Sequence, residues 1–81
     1  MDRYIIIGRS TCSYCVDAMR LLKQENVDFV FLDYAERPEI LDDYKQFHNM
    51  ETVPIILKNN LTTGYVSLVG GYTSLAAQLS S

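Results

Sequence analysis

Cys12 and Cys15 lie three positions apart in the stretch STCSYC, and the chain contains no other cysteine. Thiols at that spacing can exchange electrons as a pair, supply half of a metal site, or fill a core as two small apolar side chains. A tetrahedral zinc site needs four ligands, and beyond the two thiols the chain offers one histidine, His48, and carboxylates. A redox pair needs one thiol that ionises near neutral pH, because the thiolate is the attacking species and a free cysteine has a pKa of about 8.5.

The flanking sequence supplies the means to lower that value. The run YIII at 4–7 is continuous and apolar, which predicts a central strand covered on both faces of a parallel sheet. From Cys15 onward, Cys15, Ala18, Met19 and Leu22 recur at i, i+3, i+4 and i+7, while Asp17, Arg20, Lys23 and Gln24 face away, which predicts an amphipathic helix. Cys12 therefore falls where strand gives way to helix. The unpaired N–H groups of a first helical turn, and the positive end of the helix dipole, favour an anion there. Arg9 adds a cation on the same loop. Cys15 falls one turn inside the helix in the apolar register, so Cys12 is expected to attack and the more buried Cys15 to resolve.

The remaining elements follow from the same periodicities. VDFVFLDY at 27–34 predicts a second covered strand, and strand, helix, strand implies a right-handed parallel crossover. Pro38 suits the first turn of a helix whose inner face would be Ile40, Leu41, Tyr44 and Phe47, with His48 near its C-terminal end as a partner for the dipole. TVPIIL at 52–57 predicts a third strand, and Asn59-Asn60 a turn into a hairpin with TGYVSLV. After Gly70 and Gly71, the residues Tyr72, Leu75, Ala76 and Leu79 repeat at helical spacing. The expected order is β-α-β-α-β-β-α in an α/β chain.

Composition narrows the function. At 81 residues the chain suits one domain spanning 1–81. A formal charge of −3, with no run of Lys or Arg, argues against a surface that tracks nucleic-acid phosphates. The longest apolar stretches fall far short of the ~20 residues that span a bilayer. MDRYIII also lacks the basic start and small-residue cleavage site of a signal peptide, so a reducing cytoplasm is the expected compartment.

TCSYC, TVP at 52–54 and GGYTSL at 70–75, in this order and spacing, resemble the glutaredoxins over nearly the whole chain. The resemblance implies a thioredoxin-like fold with a four-stranded mixed sheet and three helices. It implies glutathione-dependent thiol-disulfide oxidoreductase activity, with Cys12 as nucleophile, Cys15 as resolving thiol and a cis bond before Pro54 that faces Cys12. Glutathione would be the co-substrate, with no tightly bound cofactor and no metal. It would lie along Thr52, Val53 and Pro54, with Val53 pairing as a short added strand. Gly71, Tyr72 and Thr73 would receive the γ-glutamyl carboxylate at the start of the last helix. Tyr14 would flank the sulfur, and Arg9 would help hold the glycyl carboxylate. Partners would be disulfide-containing or glutathionylated proteins, ribonucleotide reductase being a usual family candidate, and the chain would act as a monomer. Two rival roles are a dimeric iron–sulfur carrier, with Cys12 and glutathione as ligands, and a redoxin reduced by a thioredoxin-reductase-like flavoprotein. The chain departs from many relatives at four positions: Thr73 and Ser74 stand where an acid is frequent, Leu41 where a polar group is, and Glu51 where a base is.

Overall fold

A computed structural model describes residues 1–80, so Ser81 lies outside the described residues. Seven elements follow in the expected order: β1 (Asp2–Gly8), α1 (Ser13–Gln24), β2 (Phe29–Asp33), α2 (Pro38–Phe47), β3 (Ile55–Asn60), β4 (Val66–Gly70) and α3 (Tyr72–Leu79). The sheet order is β2-β1-β3-β4. β1 runs parallel to β2, from Tyr4 beside Phe29 to Gly8 beside Asp33, and antiparallel to β3. β3 and β4 pair antiparallel, with an irregularity at Ile56 and Leu57. This is the thioredoxin-like mixed sheet.

Alternation along β1 explains why its run is apolar throughout. Tyr4 and Ile6 enter a core with Ala18 and Leu22 of α1, Ile56 and Leu75 of α3. Ile7 points the other way into a second core with Cys15, Leu41 of α2, Val53 and Ile55, and Ile5 packs against it. A strand between two cores needs apolar residues in both phases of its period of two.

Three sequence expectations are corrected. β2 is an edge strand with partly exposed faces, not a fully covered one, because β1 pairs it on one side only. Phe47 is 83% exposed instead of facing inward, since α2 ends at that residue and only Leu41 is deeply buried. The chain does not turn at Asn59-Asn60: both belong to β3, and the reversal runs over 61–65. There the Asn60 side chain accepts the N–H groups of Thr62 and Thr63 at 2.9 and 3.1 Å, and Gly64 takes a φ of +77°. A side-chain acceptor and a positive-φ residue four positions later build a longer loop than a two-residue turn.

Candidate active site

Cys12 is the N-cap of α1, with extended backbone angles of −93° and 122°, and its carbonyl accepts the N–H of Val16 at 3.1 Å. Its side chain makes no capping bond. The N–H groups of Tyr14 and Cys15 nevertheless face the sulfur closely enough to favour its thiolate. Cys15, one turn on, is fully buried, and both cysteines are free thiols.

Burial alone would raise the Cys12 thiol above its ordinary value. The N–H of Cys15, the Cys15 thiol, the N–H of Tyr14 and the charge of Arg9 together outweigh it, and the net direction is down. Burial raises Cys15 as well, and there the proximity of Cys12 adds to it, so that thiol is pushed up to about 11 despite its hydrogen bond with Arg9. Two thiols one helical turn apart are driven in opposite directions.

The Cys12 thiol also donates to the carbonyl of Val53, with sulfur and oxygen 3.9 Å apart. That contact places the segment before β3 against the sulfur, and the Val53–Pro54 bond is cis. Tyr14, Thr52, Val53, Pro54, Gly71, Tyr72 and Thr73 line a single cleft of about 290 Å³, together with Met50 and Ser74. The rings of Tyr14 and Tyr72 approach to 6.0 Å, linking the first turns of α1 and α3. Among the described residues, no Asp, Glu, His, Lys or Arg lines this cleft.

Arg9 is not among the cleft residues. It lines a separate hollow with Tyr34, Ala35, Pro38, Leu41, Asp42 and Lys45, where Lys45 lies 4.0 Å from Asp42. Glu51 is exposed between Met50 and Thr52 and lines neither hollow. His48 caps the C-terminal end of α2 and stacks on Tyr44 with ring centroids 6.4 Å apart.

Two features escaped sequence reasoning. Gly8 is the last residue of β1, and a Cβ there would collide with the Cys15 sulfur. Asp33, at the end of β2, accepts the N–H groups of Ser10 and Ala35 at 3.0 Å each. The latter bond is an Asx turn, a local signal that Asp followed by a turn can give; the former joins residues 23 positions apart and has none.

The glutaredoxin family model matches residues 4–61, the span from β1 through the end of the third strand. The chain belongs to the glutaredoxin family. Among solved structures it resembles reduced Escherichia coli glutaredoxin at 30% identity and a TM-score of 0.66, over 96% of this chain and 93% of that one. Glutaredoxin 1 from Francisella tularensis matches at 27% identity and 0.65, over 99% and 94%. The glutathione complex of buckwheat glutaredoxin shares the fold at 16% identity and 0.75, over 98% and 69%. Comparison with curated protein sequences returned no match. As a glutaredoxin, the chain is a thiol-disulfide oxidoreductase with a C-x-x-C pair at Cys12 and Cys15. Among the described residues, no helix is long and apolar enough to cross a membrane.

Proposed function

We propose that this glutaredoxin uses glutathione to reduce protein disulfides and glutathione mixed disulfides, with Cys12 as the attacking thiol and Cys15 as the resolving one. The observation that carries the reading is the placement of Cys12 at the N-cap of α1, its sulfur against the Val53 carbonyl, with Cys15 buried one turn behind it. The Cys12 thiolate attacks one sulfur of the substrate disulfide. A Cys12–substrate disulfide forms, and the other substrate sulfur departs as a thiolate that takes up a proton. Once Cys12 is bonded its sulfur carries no charge and no longer accepts the Cys15 S–H as a thiolate does, which removes two of the influences that hold the Cys15 proton in place. Cys15 then gives up that proton, attacks the Cys12 sulfur and releases the second thiol. Two glutathione molecules return the electron pair to the resulting internal disulfide and leave as glutathione disulfide.

Substrate recognition rests mainly on backbone. In this reading Val53 pairs with an extended cysteinyl residue as an added strand, which needs no particular side chain. In the same reading Gly71, Tyr72 and Thr73 receive a carboxylate at the start of α3, and Tyr14, which lines the same cleft, flanks the sulfur. Thr52 and Pro54 complete the wall beside Val53. Arg9, in its own hollow with Lys45, serves the glycyl carboxylate from outside the cleft. The chain acts in the cytoplasm, as one domain and as a monomer.

The test is reduction of a glutathionylated peptide coupled to NADPH through glutathione and its reductase. Activity is expected with the unaltered protein and loss to background with Cys12→Ser. Cys15→Ser should retain turnover of the glutathionylated peptide while losing that of an intramolecular protein disulfide. Activity that survives Cys12→Ser contradicts the assignment. Activity that appears only with a thioredoxin-reductase-like flavoprotein contradicts the glutathione dependence.

A further inference from the structure

The loop 9–11 sets where α1 begins and hence where the Cys12 sulfur sits. Its own internal bond, from the N–H of Cys12 to the carbonyl of Arg9 at 3.1 Å, makes a turn but does not fix that turn against the sheet. The fixing contact comes from β2. Asp33 Oδ1 accepts the N–H of Ser10 and, with the same oxygen, the N–H of Ala35, both at 3.0 Å. One residue on, the N–H of Tyr34 donates to the carbonyl of Gly8 at 2.8 Å, and Gly8 sits in register with Asp33. The end of β1, the loop and the end of β2 are therefore stitched at adjacent points, with the Asp33 carboxylate receiving both backbone and side chain of Ser10.

We propose that Asp33 is a positioning residue for the dithiol reaction, its carboxylate holding Ser10 so that the Cys12 sulfur meets the N–H groups of Tyr14 and Cys15. The inference rests on Cys12 being the attacking thiol. Hydrogen bonds to a thiolate weaken steeply with angle and distance, so a loop free to shift loses part of the stabilisation that lowers the Cys12 thiol. The Ser10 side chain and N–H and the Ala35 N–H hold the Asp33 carboxyl below its usual range, consistent with a charge-assisted stitch. The charged and titratable groups around this junction are Arg9 on the loop, Tyr34 beyond β2, and Asp42 and Lys45 from α2, which share a hollow with Ala35. None of these residues is itself altered by a substitution at position 33.

The experiment measures the rate of Cys12 alkylation by iodoacetamide against pH in a Cys15→Ser background, so that one thiol reports. Asp33→Ala is expected to move the inflection upward by about half to one unit, slowing alkylation on the acid side roughly threefold to tenfold. Asp33→Asn keeps an Oδ1 that accepts both N–H groups and should stay within about twofold of the parent, a rescue that a purely electrostatic role would not give. A profile for Asp33→Ala that superimposes on the parent overturns the proposal, and so does an Asp33→Asn profile displaced as far as that of Asp33→Ala. A parent inflection at the free-thiol value of about 8.5 overturns the reading of Cys12 as nucleophile and the proposal with it.

Discussion

Gly8 and Cys15 are a matched pair, because the strand must pass the buried sulfur without a side chain between them. Gly8→Ala forces a methyl group into a filled site, and overpacking of this kind costs about 1–3 kcal/mol. At the heat capacity and entropy of a chain this size, each kcal/mol is worth roughly 4–8 °C in Tm. Thermal unfolding of Gly8→Ala should therefore show a clear loss, and Gly8→Ala with Cys15→Ala should recover part of it, since the double variant removes the atom that the methyl meets. Additive losses would mean that the clash lies elsewhere. The sequence displayed Cys12 and Cys15 plainly, as two local patterns meeting at a strand-to-helix junction. It did not display the supporting residues. Gly8 reads as an ordinary strand end until the fold brings Cys15 against it, and Asp33 reads as the end of a strand until Ser10 arrives from 23 positions away.

At the scale of elements, local periodicity was reliable in the interiors of the helices and of β1, and misleading at element ends and in the covering of β2. Phe47 continues the helical repeat of Ile40, Leu41 and Tyr44, but α2 stops there and the ring is left 83% exposed. Leu41, at 4%, holds the helix to the second core. Leu41→Ala should cost about 2–5 kcal/mol in urea unfolding. Phe47→Ala should cost less than about 0.5 kcal/mol, as exposed positions away from special features do. Comparable losses would restore the inward-facing assignment. The hairpin was misplaced for a different reason: an Asn-Asn pair signals a tight turn, whereas here Asn60 acts through its side chain on a loop that Gly64 completes. Gly64→Ala meets no neighbour but does meet an unfavourable φ, costing about 1–2 kcal/mol. As the loop lies outside the cleft, its disulfide-exchange rate should match that of the unaltered protein.

For the whole molecule, the opposed thiols link stability to pH in opposite ways. Cys15 is held protonated up to about 11 in the fold, against about 8.5 for an unfolded cysteine. Its contribution is complete below about pH 8.5 and is lost as pH rises from there toward 11, where only the unfolded chain releases the proton. Cys12 is lowered, so its contribution is present above about 8.5 and is lost as pH falls through its folded value. Under reducing conditions the urea midpoint should decline between about pH 9 and 11, and the decline should be shallower in Cys15→Ala. Equal slopes would show that Cys15 ionises freely in the fold. That asymmetry is also what makes the pair a directional couple, and a mixed disulfide reports on it most directly. Reduced protein, Cys12→Ser and Cys15→Ser should each be exposed briefly to glutathione disulfide, quenched with acid, and mapped by peptide mass. Cys15→Ser is predicted to accumulate one glutathione on Cys12, the unaltered protein to pass on to the Cys12–Cys15 disulfide, and Cys12→Ser to remain unmodified over the same interval. A glutathione adduct on Cys15 in Cys12→Ser, formed as fast as the one on Cys12, would contradict the account.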